Sequence, residues 1–339
     1  MSGVTREEFS KIYNEQFLPI LEPLEVERAA YKKKAIPFFV LAVIFAVLSV
    51  AGFITEKASF ILLGLSVSVP CLIYVAVLYG KLREKLKNQI ITKILALCGN
   101  MYLSGDKDSI SYEEVKEMRL FSRFTTKSDD DVIIGIHKGC NFVIEESHLT
   151  HTEGSGKSRH TVTDFKGLMI KIKMNKAFSG ETFVGEKWKI AKKNGFEEVK
   201  LEDVEFMKHM KVFSTDQIEA RYLLTTSFIE RLYLLGDAFS KSRSRANANT
   251  SEGHNVASSV NYKREVKTGL AAWLDSPNLV SAAFAAGYVY LFVPKGEDFF
   301  EIDVMSTLFD EKKYYDVYSQ IQLILSIIDY LKLDLKLGL

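Results

Sequence analysis

Apolar and polar residues are unevenly distributed along this 339-residue chain. Two runs near the N-terminus, residues 35–54 and 58–80, contain no charged residue. A helix rises about 1.5 Å per residue, so roughly 20 apolar residues cross a hydrocarbon core. Helices that are apolar on every face are unusual in soluble proteins. The pattern therefore predicts a transmembrane hairpin of two helices, 35–54 and 58–80. Pro37 falls in the first turn, where its missing N–H costs little. Pro70 is interior and should kink the second span, which membrane helices tolerate.

Outside the hairpin the pattern changes twice. In the N-terminal segment, 1–34, Thr5 and Glu8 make a capping box. Phe9, Tyr13 and Phe17 then recur at helical spacing until Pro19 and Pro23, which are expected to interrupt the helix. After the second span, 81–104 keeps a helical pattern and reads as a basic stalk. From 105 to 339 the texture is that of an α+β domain. Ser111 and Glu114 cap a short helix, and "DVIIGI" and "NFVIEESHLTH" read as strands around the turn "HKGC". In "TDFKGLMIKIKM", Leu168, Ile170, Ile172 and Met174 alternate with Met169, Lys171 and Lys173, the period-two mark of an antiparallel strand. "KWKIA", "EEVKL", "LVSAAFAA", "YVYLFVP" and "FFEIDV" are further candidate strands, and "DVYSQIQLILSIIDYLKL" a closing amphipathic helix. Residues 240–261 are polar and read as a mobile loop.

Charge adds an orientation. Lys+Arg (44) nearly balance Asp+Glu (43), so no global basic field points to nucleic acid. Locally, Arg28, Lys32, Lys33 and Lys34 precede the first span, and Lys81, Arg83, Lys85 and Lys87 follow the second. The loop between them carries only Glu56 and Lys57. The positive-inside rule then places both termini in the cytoplasm of a multi-pass protein of the plasma (inner) membrane. The first apolar run begins too late, and is too long, for a cleaved signal peptide. Three isolated cysteines and no C-x-x-C indicate neither a zinc nor a dithiol site.

Several chemical motifs fail on inspection. "HTEGSGKS" (151–158) resembles a phosphate loop, but His151 replaces the first glycine and the β-prone "RHTVTDF" follows instead of a helix. A hairpin turn is expected there, without nucleotide binding. His148 and His151 are three apart on a strand and point to opposite faces, which disfavours a shared metal. "KSDDD" (127–131) lacks the spacing of a calcium loop and reads as a polar turn.

The stretch "VFSTDQIEARYLLTTSFIERL" (212–232) gathers Asp216, Glu219, Arg221, Tyr222 and Glu230. Local physics accounts for most of them. Ser214 and Gln217 form a capping box with Phe213 and Ile218 as its hydrophobic staple, and Asp216 favours the helix dipole. Ser227 and Glu230 form a second box. Glu219 and Arg221 remain without a local explanation.

The motifs "DDDVIIG", "FKGL", "FSGETFV", "VKLEDVEF" and "VFSTDQIEARYLL" occur in an order that resembles domain-of-unknown-function family 3137. Asp131, Gly135, Phe165, Gly167, Phe178, Gly180, Thr182, Glu202, Phe206, Asp216, Glu219, Arg221 and Tyr222 carry the resemblance. It implies a bacterial membrane protein with two spans before a soluble domain. It supplies no catalytic residue and no cofactor, and it hints at a LemA-family membrane protein as neighbour. The combined expectation is an α+β cytoplasmic antiparallel-sheet domain with helices behind a two-helix transmembrane hairpin. In function it would be a membrane-anchored, non-enzymatic module binding a partner or lipid at the inner face of the membrane. The alternatives are a membrane-bound enzyme and a structural subunit of a membrane complex.

Overall fold

A computed structural model describes residues 5–106, 108–174, 178–245, 279–295 and 304–336. These fall into two units: residues up to Ile94 with those of 304–316, and residues from Leu95 to 295 with those of 317–336.

In the first unit, α1 (Arg6–Ile12) starts with the expected reciprocal box of Thr5 and Glu8. A π-helical turn, Tyr13–Phe17, leads directly into α2 (Leu18–Ile54). Pro19 and Pro23 therefore do not interrupt the helix, contrary to the sequence reading. Pro19 lies in the first turn of α2, where no N–H is required, and the wide π turn before it makes room for its ring. Phe9, Tyr13, Phe17 and Leu21 form a buried stripe. Tyr13 and Phe17 stack on Tyr314 at 6.0 and 5.8 Å, and Phe9 meets Tyr315 edge-on at 5.2 Å. The Tyr314 hydroxyl donates to the Leu308 carbonyl at 2.6 Å, and Leu308 N–H donates to Glu25 at 3.1 Å. A hydrogen-bonded chain thus ties residues 304–316 to the start of α2.

A turn at Thr55–Lys57 connects α2 to α3 (Ala58–Cys98). Gly52 and Gly64 allow the two helices to approach closely. A Cβ at Gly52 would lie 2.8 Å from Ile61 N, and one at Gly64 2.6 Å from the Ser49 Cβ. Both helices are long and apolar enough to cross a membrane, and only 17% and 11% of their most apolar windows are buried. A core helix of a soluble protein would be mostly buried instead.

The second unit is built on a nine-stranded antiparallel sheet with helices. Its strands are β1 (Asn100–Ser104), β2 (Thr126–His137), β3 (Cys140–Glu153), β4 (His160–Lys173), β5 (Thr182–Glu186), β6 (Glu197–Glu198), β7 (Met210–Ser214), β8 (Ser281–Ala285) and β9 (Tyr288–Pro294). The spatial order is β1-β2-β3-β4-β9-β8-β5-β7-β6. The α+β class is as the sequence indicated. Two tight hairpins fix the register. Lys138–Gly139 and Ala286–Gly287 each supply two consecutive positive φ values, the geometry that matches strand twist. Of the remaining candidates, "KWKIA" is not a strand but a turn after β5, closed by Ile190 N–H onto Glu186. "EEVKL" contributes only β6. Most of "FFEIDV" and of the 240–261 loop lies outside the described residues, and 240–245 are the end of a helix.

One sheet face carries Met169, Phe183, Phe213, Ala283, Tyr290 and Phe292. It is covered by α4 (Tyr112–Glu117) and by the apolar residues Leu120, Phe121, Phe124 and Phe196. The opposite face carries Leu168, Ile170, Ile172, Leu291 and Phe284, all fully buried. There α7 (Thr226–Arg245) packs with Phe228 against Phe284 at 5.6 Å. The expected polar face of β4 is thus covered too: Met169 is core, and Lys171 reaches a specific partner. Helix α8 (Glu311–Lys336) closes the chain, and its Asp329 receives His137 Nε2 at 2.7 Å and Lys138 Nζ at 2.6 Å.

Candidate functional site

The stretch 212–224 leaves β7 and enters α6 (Gln217–Leu223). Asp216, not Ser214, is the N-cap, and its carboxylate accepts from the N–H groups of Ile218 and Glu219 at 2.9 and 3.0 Å. These bonds, led by the one from Glu219, hold its carboxyl below the usual range. The Ser214 cap is overturned because β7 claims that residue. Its hydroxyl accepts from Asp216 N–H at 3.0 Å and lies 2.9 Å from Thr182 Oγ1 and 3.0 Å from the Glu181 carbonyl. The staple is not made either, since Phe213 points into the core while Ile218 is 71% exposed. The second box fails in the same way: Thr225 Oγ1, not Ser227, accepts from Phe228 N–H at 3.2 Å.

Glu219 now has a role. Its two carboxylate oxygens accept the backbone N–H groups of Ser179 and Gly180 at 2.8 and 2.7 Å. The Ser179 hydroxyl lies 3.3 Å from Asp216 Oδ2, and Glu181 N–H donates to Thr215 Oγ1 at 2.9 Å. A Cβ at Gly180 would come within 2.7 Å of Thr215 Oγ1 and 2.9 Å of the Asp216 Cβ. "FSGET" and "STDQIE" are therefore two halves of one docked junction. Phe178 completes it edge-on against Phe284 at 5.7 Å.

The other motif residues lie elsewhere. Asp131 is buried beside the register shift of β2, and Gly135 faces Phe142, whose Cζ would lie 2.5 Å from an added Cβ. Phe165 is core, and a Cβ at Gly167 would overlap the Val293 carbonyl oxygen. Glu202 is exposed, next to Asp203, which caps α5 (Val204–His209). Phe206 is buried edge-on to Tyr233. Arg221 turns back to the Gln217 carbonyl at 2.9 Å, and Tyr222 is 61% exposed. With Ile218, these two give α6 an outward face that holds nothing of the junction.

Sequence reasoning missed a buried ionic cluster. "KSDDD" is not a turn but part of β2, so Lys127 and Asp129 share a face beside Glu145 and Ser147 of β3. Lys127 Nζ lies 2.5 Å from both Asp129 Oδ2 and Glu145 Oε1, with its side chain 3% exposed. Ser147 donates to Asp129 at 2.7 Å, and Ile110 N–H donates to Glu145 at 3.0 Å. Burial works to lower the Lys127 pKa, but the two carboxylates outweigh it and raise it. Burial pushes Glu145 up to about 7, because Lys127 is shared with Asp129 and offsets only part of the cost. Nearby, Lys171 Nζ meets Glu114 at 2.5 Å and lies 4.7 Å from the Tyr288 ring centre, while Tyr290 donates to Glu114 at 3.0 Å. The period-two alternation of β2 and β3 was the signal, hidden because a run of aspartates reads as a turn.

The hairpin expected at 151–158 is present, with a short 3₁₀ turn at Gly156–Ser158 between β3 and β4. His148 and His151 do not converge. His148 lies 2.9 Å from Thr163 Oγ1, whereas His151 meets Asp164 and Glu153. Among the described residues, no group of three or more His, Cys, Asp or Glu is arranged to hold a metal ion.

Residues 163–249 and 274–333 match the family model described as "Protein of unknown function (DUF3137)". No curated protein and no solved structure matches the chain.

Proposed function

The chain belongs to the DUF3137 family, and we propose that it is a membrane-anchored, non-enzymatic module that binds a protein partner at the inner face of the plasma membrane. Both termini lie in the cytoplasm in this reading. The observation that carries it is the pair of adjacent helices whose most apolar windows are largely exposed. Such surface is costly in water and stable in lipid. The cations before 35 and after 80 support the orientation.

The binding reading is supported by how the motif residues are used. Asp216, Glu219, Gly180 and Thr182 hold the chain to itself, which leaves Ile218, Arg221 and Tyr222 as the outward part of the motif. Exposed Tyr and Arg are residue types enriched at interfaces. An enzyme reading would look to Glu145, titrating near neutral pH, but its side chain is fully buried and offers no access to a substrate. A LemA-family membrane protein is the first candidate partner, on resemblance alone.

The test is affinity purification of the full chain from detergent-solubilised membranes, with Ile218→Ser/Tyr222→Ala beside the unaltered protein. A specific partner retained by the native chain and lost by the double variant, at equal yield, supports the reading. Identical co-purifying proteins from both overturn α6 as the binding face.

A further inference from the structure

Among the described residues, β3 beyond Thr150 and β4 before Lys166, whose carbonyl accepts from Lys295 N–H at 2.8 Å, pair only with each other. The β2 ladder ends at Thr126↔Thr150, and the β9 ladder begins at Gly167↔Pro294. The result is a two-stranded arm whose far end, 152–161, is exposed throughout. Two-stranded ribbons are marginal alone in water, so the arm depends on what fastens its root.

His151 sits at that root and is 9% exposed. Its Nδ1 lies 2.6 Å from Asp164 Oδ2 on β4, and its Nε2 lies 3.0 Å from Glu153 Oε1 on β3. A neutral imidazole carries one N–H and can satisfy one of these carboxylates. Only the imidazolium donates to both. The other charges facing the cluster are Arg123, whose Nη1 is 3.6 Å from Glu153, and His160, which acts on Glu153 through space while its own Nδ1 lies 3.1 Å from the Ser158 carbonyl.

We propose that His151 is a proton-operated clamp. As imidazolium it bridges β3 and β4 and orders the arm. On losing its proton it turns a lone pair toward one carboxylate, and the arm loosens. The step is one proton released to solvent, with no other bond made or broken. The hydrogen bonds from Glu153 and then Asp164, together outweighing burial, raise the His151 pKa above its ordinary 6.5. A raised folded pKa means that the clamp's contribution is complete below about 6.5 and is lost as pH rises through the higher folded value. Protonation of Glu153, whose carboxyl the bond from His151 holds below the usual range, sets a lower limit in acid. The free end carries Lys157, Arg159 and His160 and no acidic residue between 154 and 161. Loosening therefore changes how a cationic tip is presented, whatever the domain binds.

The test uses the full chain in detergent micelles with a nitroxide on Ser155→Cys. The native cysteines at 71, 98 and 140 are buried, and the unsubstituted chain gives the labelling background. Label mobility is followed from roughly pH 5 to 9, the range in which a histidine titrates. The expected result is a mobility increase with a midpoint above 6.5. It disappears in His151→Gln, which is mobile throughout, and shifts to lower pH in Asp164→Asn. His160→Gln should leave the transition in place. A flat profile in the native arm, a transition that survives His151→Gln, or an Asp164→Asn midpoint that does not move would each overturn the clamp.

Discussion

Ser214 shows how one side chain is read differently by sequence and by structure. A serine three residues before a glutamine is a sound helix-start signal, but β7 runs through 214 and its hydroxyl is committed to Asp216 N–H and to Thr182. Asp216 takes the cap instead. Ser214→Ala should cost about 1–3 kcal/mol by leaving buried partners unmet. Ser214→Asp should cost more, because a charge would be forced against the Glu181 and Asp216 carbonyl oxygens. Thermal melts of the detergent-solubilised chain would rank the two, and equal melting points would refute this account. Glu219 was illegible for another reason: its partners, Ser179 and Gly180, lie 40 and 39 residues earlier, beyond any local pattern. The Lys127 cluster adds a pH effect. A carboxyl whose folded pKa is raised to about 7 favours the folded state fully below its ordinary value, and that contribution is lost as pH rises through 7. Glu145→Gln should therefore flatten the fall in stability between about pH 4.5 and 7.

At the scale of elements, period and turn chemistry carried most of the fold. The alternating run "TDFKGLMIKIKM" became β4, the strand candidates "NFVIEESHLTH" and "YVYLFVP" became β3 and β9, and the box residues Thr5 and Ser111 cap the helices they were assigned to. The reading failed where a neighbour overrode the local signal. Two prolines did not stop the N-terminal helix: Pro19 falls in the first turn of α2 after a π turn, and the stripe of Phe9, Tyr13 and Phe17 ahead of it is held by Tyr314 and Tyr315, residues distant in sequence. Packing of that kind gives more to a short helix than propensity does. Phe9→Ala should remove about 3–5 kcal/mol from this contact. The effect should be local: amide exchange should accelerate in Arg6–Ile12 while the sheet amides keep their protection. Uniform acceleration everywhere would mean that α1 is not a separable element.

For the whole molecule, the hairpin of apolar helices and the α+β class were legible from hydropathy alone, but the order of the sheet was not. Pairing between distant strands leaves no mark in a single sequence. Topology remains open to direct measurement: a phosphatase reporter fused after Leu339, active only in the periplasm, should be inactive, and activity there would reverse the proposed orientation. The strand order has a consequence for synthesis. β4 and β5 follow one another in the chain, yet β9 and β8 lie between them. Until residues 281–294 leave the ribosome, the nascent domain is two half-sheets, each with a bare inner edge. At about 5–20 residues per second that interval lasts on the order of seconds to tens of seconds, long compared with hairpin formation in microseconds. Bare edges invite pairing with other chains. A polypeptide cut short before β8 should therefore aggregate rather than persist as a smaller domain, and the cell must shelter the unfinished product or degrade it.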